Sequence, residues 1–469
     1  MVKKSKYAFF DDKIMEIANK KCSSCELINW VKKHKLLVVE AIQFNKQPCI
    51  KLNDLWNMLH SSFNSVISHE VDLHLLDEIP DREPVNWTSF AREKLINTIE
   101  KCNNSSAPGP DQLTWGHIKK IVRSKECITR LIDIANACIE LGHWPYHFKT
   151  SMTVIIPKPN KTLYNTPKSF WPIVLLNTIG KPFKKMIGEW LQFHTISNSF
   201  IYCCQPSGLK HRFTTNIGVA LTHSICTGWI KNLTTSILAF DIAQFYPSLN
   251  HQLLLYIMNK VGLDCKVFNF FKDYLVGRKT RYLWNNFLSS FCSIDVGVGQ
   301  RSALYLSPIL YIFEKHLKTL KIPISIISFV DDGLFISQNK SISHSNTNIF
   351  CSYNVMSSLL LKFGLIIEHG KMEVFYLSRS QGAFNHPPLN LSVLGGPILL
   401  PKNSWWYLGF IFDRKLIFWH HIEFYTNKVI SMVKCMKMLG NLFRGINPIQ
   451  KRRLYRYCAL PIVLYSFPV

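Results

Sequence analysis

The chain has 469 residues, 47% of them hydrophobic, with 55 Lys and Arg against 30 Asp and Glu, a formal net charge of +25. The apolar content excludes global disorder, and the longest apolar stretches, such as LYLSPILYIF at 304–313, fall short of the roughly 20 residues that cross a bilayer. So large an excess of positive charge repels itself unless a polyanion neutralises it, which makes nucleic acid the first partner class and an anionic membrane surface the second.

The N-terminus, MVKKSKYAFFDDK, is charged and lacks an apolar core, so it does not read as a secretory signal. With 14 scattered cysteines, it points to reduced thiols in an intracellular setting, nuclear or cytoplasmic, and not to secretion. Cys22 and Cys25 have zinc-like spacing with His34 downstream, but no second such pair follows, so ordinary buried thiols are the plainer reading. Residues 1–102 read as a mainly helical extension, and EIPDREPVNW at 78–87 as a linker. NNSSAPGPDQLTW at 103–115 is a turn-rich entry to a helix. SMTVIIPKPNK at 151–161 reads as a strand and a basic turn, and KSFWPIVLLNTIGKPFKKMI at 168–187 as a strand and a helix. No internal repeat or low-complexity tract interrupts the chain.

Two segments carry chemistry. In TTSILAFDIAQFYPSLNHQLLLYIMNKVG at 234–262, a buried-strand run ends at Asp241, Pro247 and Ser248 break it, and a helix follows with Leu253, Leu254, Ile257 and Val261 on one face. In IPISIISFVDDGLFIS at 322–337, two apolar runs flank Asp331, Asp332 and Gly333, which predicts a β-hairpin with the aspartates at its turn. Asp-Gly is also a common turn that needs no function. Two adjacent anions between apolar runs nevertheless repel unless something cationic holds them. Asp241 at a strand end and the pair at a hairpin tip can converge on two Mg²⁺ ions, the arrangement that clamps an in-line phosphoryl transfer.

The ordered segments AFDIAQFYPSL, GVGQRSALYLSP, FVDDGLFIS, GLIIEHGKMEVF and WWYLGFIFDRKLIFWHHI resemble the palm motifs of reverse transcriptases. Upstream, SSAPGPDQLTW, VIIPKPNK and WPIVLLNTIGK resemble the fingers motifs of non-LTR (LINE-type) retrotransposons, particularly fungal ones. The resemblance spans about residues 103–465. It implies an α+β right-hand polymerase: fingers at 103–230, a palm at 231–395 with an antiparallel sheet and helices on one face, and a primer-grip hairpin with a partial thumb at 396–469. It also implies an RNA template, a DNA primer and dNTP as partners, no membrane, and two Mg²⁺ ions, with Mn²⁺ as a substitute.

Carried over to this sequence, Asp241, the backbone carbonyl of Ile242, Asp331 and Asp332 would hold the metals, Asp331 more directly than Asp332. Lys371 would protonate pyrophosphate, an exposed surface lysine being the alternative. Lys158, Gln300 and Tyr246 would meet the nucleotide. Tyr246 stands at the sugar-gate position, where its ring would reject a ribose 2′-hydroxyl, and packing in the core is the other reading of it. In NLFRGINPIQKRRLYRY at 441–457, Arg444, Lys451, Arg452, Arg453 and Arg456 would track phosphates, with Phe443, Tyr455 and Tyr457 interleaved as stacking platforms; a solvated basic helix is the plain alternative.

Three positions depart from the family. Trp171 stands where an arginine binds the triphosphate, and indole cannot replace a bidentate cation. Arg301 replaces a glycine that admits close backbone approach. SALYLSP at 302–308 departs in spacing, either by an insertion of two residues, which would rotate the following helix by ~200°, or, the favoured reading, by a loss of seven, which shortens it by ~10 Å with little change of phase. No endonuclease or RNase H region is recognisable, and the chain stops inside LPIVLYSFPV. It reads as a truncated, partly decayed copy whose nuclease a longer element or another protein would supply. Two functions compete: an RNA-directed DNA polymerase, impaired in this copy, and a non-catalytic nucleic-acid-binding remnant.

Overall fold

A computed structural model describes residues 43–44, 47–48, 51–64, 71–159, 161, 163–198, 212–284, 287–297, 307–329, 332–379, 386–392, 395–438 and 448–465. Cys22, Cys25 and His34 lie outside these residues. The described cysteines carry free thiols. Among the described residues no helix is long and apolar enough to cross a membrane.

Along the chain, helices α1 (Leu52–Phe63), α2 (Arg92–Glu100) and α3 (Lys125–Glu140) precede two antiparallel strands, β1 (Thr150–Pro157) and β2 (Phe170–Leu176). Helices α4 (Gly180–Ser197) and α5 (Thr214–Ile230) lead to β3 (Thr234–Asp241). After α6 (His251–Lys260) and α7 (Cys265–Leu275), strand β4 (Arg278–Trp284) returns to pair parallel with β1. The resulting five-stranded sheet runs β2–β1–β4, and the short strands Phe287–Leu288 and Cys292–Ile294 pair antiparallel with β4. One face is covered by α1, whose Leu55, Trp56, Met58 and Leu59 pack on Ile155, Phe170 and Tyr282. The other face leaves Ile156, Trp171 and Ile173 exposed.

The second sheet positions the site. Helix α8 (Ser307–Thr319) is followed by β5 (Ser325–Phe329), β6 (Asp332–Asn339), helix α9 (Ile342–Lys362) and β7 (Glu373–Leu377). All pairings are antiparallel and the order is β7–β3–β6–β5. β3 and β6 are central, so both of their faces need apolar residues, which explains the unbroken runs SILAF and LFIS. Leu238, Phe240, Phe335 and Val374 point into the main core with α6, α8 and α9. Ile237, Leu334, Ile336 and Phe375 point the other way, onto α5 and a hairpin of β8 (Ser404–Tyr407) and β9 (Phe410–Asp413). The α+β class and the antiparallel sheet match expectation. Helices dominate one face as expected; the other carries one helix and the hairpin. Helices α10 (Trp419–Met438) and α11 (Pro448–Leu454) follow and share a small apolar cluster.

α6 begins where the sequence reading put it. The Asn250 side chain accepts from the backbone N–H of Gln252 at 2.7 Å and of Leu253 at 3.2 Å, and Leu253, Leu254, Ile257 and Val261 are buried. The segment at 78–87, expected to be a linker, is instead a packed strap. Arg82 N–H donates to Lys260 O, Val85 N–H donates to Gly262 O, and Glu78 pairs with Lys315 at 2.9 Å. Proline-rich, charge-alternating composition signals extended backbone, but its hydrogen bonds here go to the α6–α7 turn. Gly262 (φ +73°) permits this, since a Cβ there would lie 2.5 Å from Glu83 O.

Candidate active site

Asp241 closes β3 and Asp332 opens β6, and the two are register partners across the antiparallel ladder. Residues so paired carry their Cβ atoms ~5 Å apart on one face. That face is the one that bears Ile237, Leu334 and Ile336, opposite the main core. The Asp241 side chain is nearly buried, and a backbone extension holds it: Ala243 N–H donates to Ile366 O and Glu368 N–H to Asp241 O, both at 2.8 Å. Ile242 bridges to Ile367 with its side chain in the core.

The expected hairpin forms, but its turn is displaced from Asp-Gly. Phe329 pairs with Asp332, so the connection falls on residues 330–331, and Asp332 and Gly333 belong to β6. Gly333 is there because of packing, not turn geometry: a Cβ on it would sit 2.2 Å from Phe240 Cζ. Asp331 lies outside the described residues, as do Gln300 and Arg301.

The structure brings Lys371 to Asp241. A short 3₁₀ turn, His369–Lys371, places its ammonium 2.5 Å from Asp241 Oδ2. Lys158, just beyond β1, donates from Nζ to Lys168 O at 2.7 Å. Burial, and then the ammonium groups of Lys161, Lys371 and Lys168, hold its pKa below that of an ordinary lysine. Lys168 in turn lies 3.9 Å from Glu368, the residue whose N–H meets Asp241. A basic surface therefore runs from the β1–β2 connection to the carboxylates. The sequence reading missed Lys161, Lys168 and Glu368; the density of lysines in PKPNK and PKS was the available signal.

Trp171 sits on β2 opposite Ile156, 46% exposed, and offers no cation. Tyr246 is 8% exposed, with its ring 5.2 Å from that of Phe245, so it packs in the main core. Lys451, Arg452 and Arg453 lie on α11, and Arg456 on the turn after it. Arg452, Arg453, Arg456, Tyr455 and Tyr457 are exposed, while Lys451 is half-buried. Arg444 and Phe443 lie outside the described residues.

Tyr407, at the end of β8, is buried, and its hydroxyl has no hydrogen-bond partner among the described residues. Burial first, and then the charge of Asp332, push its pKa upward. The hairpin packs against Ile237, Leu334 and Ile336, on the sheet face that carries both carboxylates.

Two facing carboxylates supply hard oxygen donors on one face, and a cation, the Lys371 ammonium, already finds Asp241. That donor set fits Mg²⁺, which takes a few carboxylates and completes its shell with water and phosphate oxygens. Among the described residues no third His, Cys, Asp or Glu joins them.

A family model described as reverse transcriptase (RNA-dependent DNA polymerase) matches residues 156–412, more than half of the chain. A probable RNA-directed DNA polymerase from the transposon X-element of Drosophila melanogaster is 24% identical over 351 residues, 71% of this chain and 36% of that protein. The RNA-directed DNA polymerase from the mobile element jockey of the same fly is 23% identical over 416 residues, 84% of this chain and 42% of that protein. The chain thus spans about two fifths of the length of these curated relatives. An apo telomerase structure from Candida tropicalis, truncated from its C-terminal domain, superposes with a TM-score of 0.39 at 14% identity, covering 58% of this chain and 54% of that one.

Proposed function

Because the chain belongs to the reverse transcriptase (RNA-dependent DNA polymerase) family, we propose that it is the polymerase region of a LINE-type element and adds nucleotides to a DNA primer 3′-hydroxyl on an RNA template. The observation that carries this is the register pairing of Asp241 with Asp332 on one face of the sheet. Asp241 and Asp332, with Asp331 and the Ile242 carbonyl, are the proposed ligands of two Mg²⁺ ions, for which Mn²⁺ substitutes. Bound there, the ions would lower the pKa of the 3′-hydroxyl and neutralise the departing pyrophosphate. Lys371, whose ammonium contacts Asp241, is the proposed proton donor to pyrophosphate, and Lys158 with its neighbouring ammonium groups would attract the triphosphate. Tyr246 as a sugar gate would act from a fixed core position, which suits steric exclusion. Gln300 completes the proposed nucleotide contacts.

The limits 1–102, 103–230, 231–395 and 396–469 for extension, fingers, palm and primer-grip hairpin with partial thumb remain our proposal, as do the fungal-type affinity, a nuclear or cytoplasmic setting and an endonuclease from the full-length element or another protein. The test is magnesium-dependent extension of a DNA primer on an RNA template by the purified protein. Binding without extension would favour the second reading, a non-catalytic nucleic-acid-binding remnant, which Trp171 and Arg301 motivate.

Two expectations follow. Trp171→Arg should lower the apparent KM for dNTP, because it restores a forked cation on the exposed edge of β2; the loss of one such contact costs on the order of 2–4 kcal/mol in the transition state. An unchanged KM would mean that Trp171 does not face the triphosphate. Binding of RNA–DNA hybrid should be strongly salt-dependent, with log affinity falling by ~0.7–0.9 per log unit of salt for each phosphate neutralised. Replacing Arg452, Arg453 and Arg456 by alanine should flatten that slope by about two to three units; an unaltered slope would make the α11 region a solvated basic surface.

A further inference from the structure

β8 and β9 are joined by a two-residue turn, Leu408–Gly409, in which both residues have positive φ, +48° and +88°. This conformation matches the twist of a hairpin and is ordinarily filled by Asn-Gly. Leucine in the left-handed region is strained, and such strain persists only where the surroundings enforce it. Here the enforcement is visible. Tyr465 Oη donates to Leu408 O at 2.7 Å, and Tyr425 Oη donates to Gly409 O at 2.7 Å. Thr214 Oγ1, at the start of α5, lies 3.2 Å from Tyr465 Oη. A Cβ on Gly409 would stand 2.7 Å from that same Tyr465 oxygen. Both carbonyls of the turn are therefore held from outside the hairpin, one by Tyr425 of α10 and one by Tyr465, beyond α11. The residue immediately before the turn is Tyr407, which packs in one apolar cluster with Leu334 and Ile336 of β6, on the face that carries Asp332.

We propose that Tyr425 and Tyr465 are positioning residues: by bonding both carbonyls of the strained Leu408–Gly409 turn, they hold it where it seats the 3′ end of the primer beside Asp241 and Asp332. This rests on the polymerase reading, since that reaction needs the 3′-hydroxyl at these carboxylates and the hairpin packs on the sheet face that carries them. Within the hairpin, the two hydroxyls touch only backbone. Their effect is on where the turn stands.

The experiment compares Tyr425→Phe and Tyr465→Phe, each of which removes one hydroxyl and no ring. Each should raise the KM for primer–template about three- to tenfold, the range of one net hydrogen bond, and leave the KM for dNTP unchanged. Leu408→Asn, which favours the left-handed region, should restore primer affinity in the Tyr465→Phe background. Equal changes in both KM values, no change in either, or no rescue by Leu408→Asn would overturn the proposal. Fluorescence anisotropy with a labelled DNA primer–RNA hybrid and with the same RNA alone separates this from the polymerase reading. If the parent protein never extends primers yet the phenylalanine variants weaken the hybrid more than the RNA, the positioning role stands and the polymerase reading falls. If they weaken both alike, the positioning role falls whether or not extension occurs.

Discussion

Asp241→Asn is expected to abolish magnesium-dependent primer extension, with a loss of at least about a thousandfold, while the protein melts close to the parent temperature. Asparagine keeps the shape of the side chain at the end of β3 but removes the charge that a hard divalent cation requires. The fold should tolerate the change. Asp241 faces Asp332 in register, so neutralising one carboxylate relieves repulsion. Lys371, which loses this contact, is largely solvent-exposed and is rehydrated readily. Extension assays beside a thermal melt by circular dichroism check both halves. Full activity in the variant would place the chemistry elsewhere, and a large drop in melting temperature would make Asp241 a structural residue. Asp332→Asn is the companion measurement and should lose activity as well.

The second large effect is expected from the smallest substitution. Gly333→Ala should destabilise the chain by about 3 kcal/mol, at the upper end of what overpacking a core typically costs. The added methyl would meet Phe240 Cζ at 2.2 Å and its Cε atoms at 2.6 and 2.7 Å. Phe240 has little room to retreat, because its ring lies 4.7 Å from Phe335, which in turn lies 5.4 Å from Phe313. Extension should fall too, since Asp332 precedes Gly333 on β6 and moves with it. Adding Phe240→Leu should recover much of the stability, because the two sites share one volume and their effects are not additive. Denaturant unfolding of the two single variants and the double variant measures this. A Gly333→Ala protein as stable as the parent would show that Phe240 does not pack over this glycine.

The comparison of these two residues says what a sequence can disclose. Asp241 was legible because its signal is local: a β-branched run, a carboxylate, then a proline break. The strands at 150–157 and 170–176, the helix after Asn250 and the hairpin around residue 331 were legible for the same reason. The role of Gly333 was not, because it depends on a ring in another strand, and local turn chemistry offered a ready but different explanation for Asp-Gly. The strap at 78–87 looked like a linker because composition records backbone preference and not where the hydrogen bonds go. Tyr425 and Tyr465 left no mark at all, since a tyrosine that bonds a distant carbonyl looks like any other tyrosine. Lys371 was identified by resemblance and then found beside Asp241. Asp331, Gln300, Arg301 and Arg444 lie outside the described residues, and their roles stay with the resemblance.

The parallel pairing of β4 with β1 has a consequence for biosynthesis. β1 pairs with β2 as soon as both have left the ribosome, but its other edge stays open until residues 278–284 emerge, after β3, α6 and α7. At about 5–20 residues per second, that wait is on the order of ten seconds. During it, the edge of β1 along Thr150–Val154 stands uncovered, a template on which a neighbouring nascent chain can add its own strand. Aggregation during synthesis should therefore respond to whatever shortens the exposure, such as a faster-translating message across this interval or a holdase chaperone, more than to the stability of the finished protein.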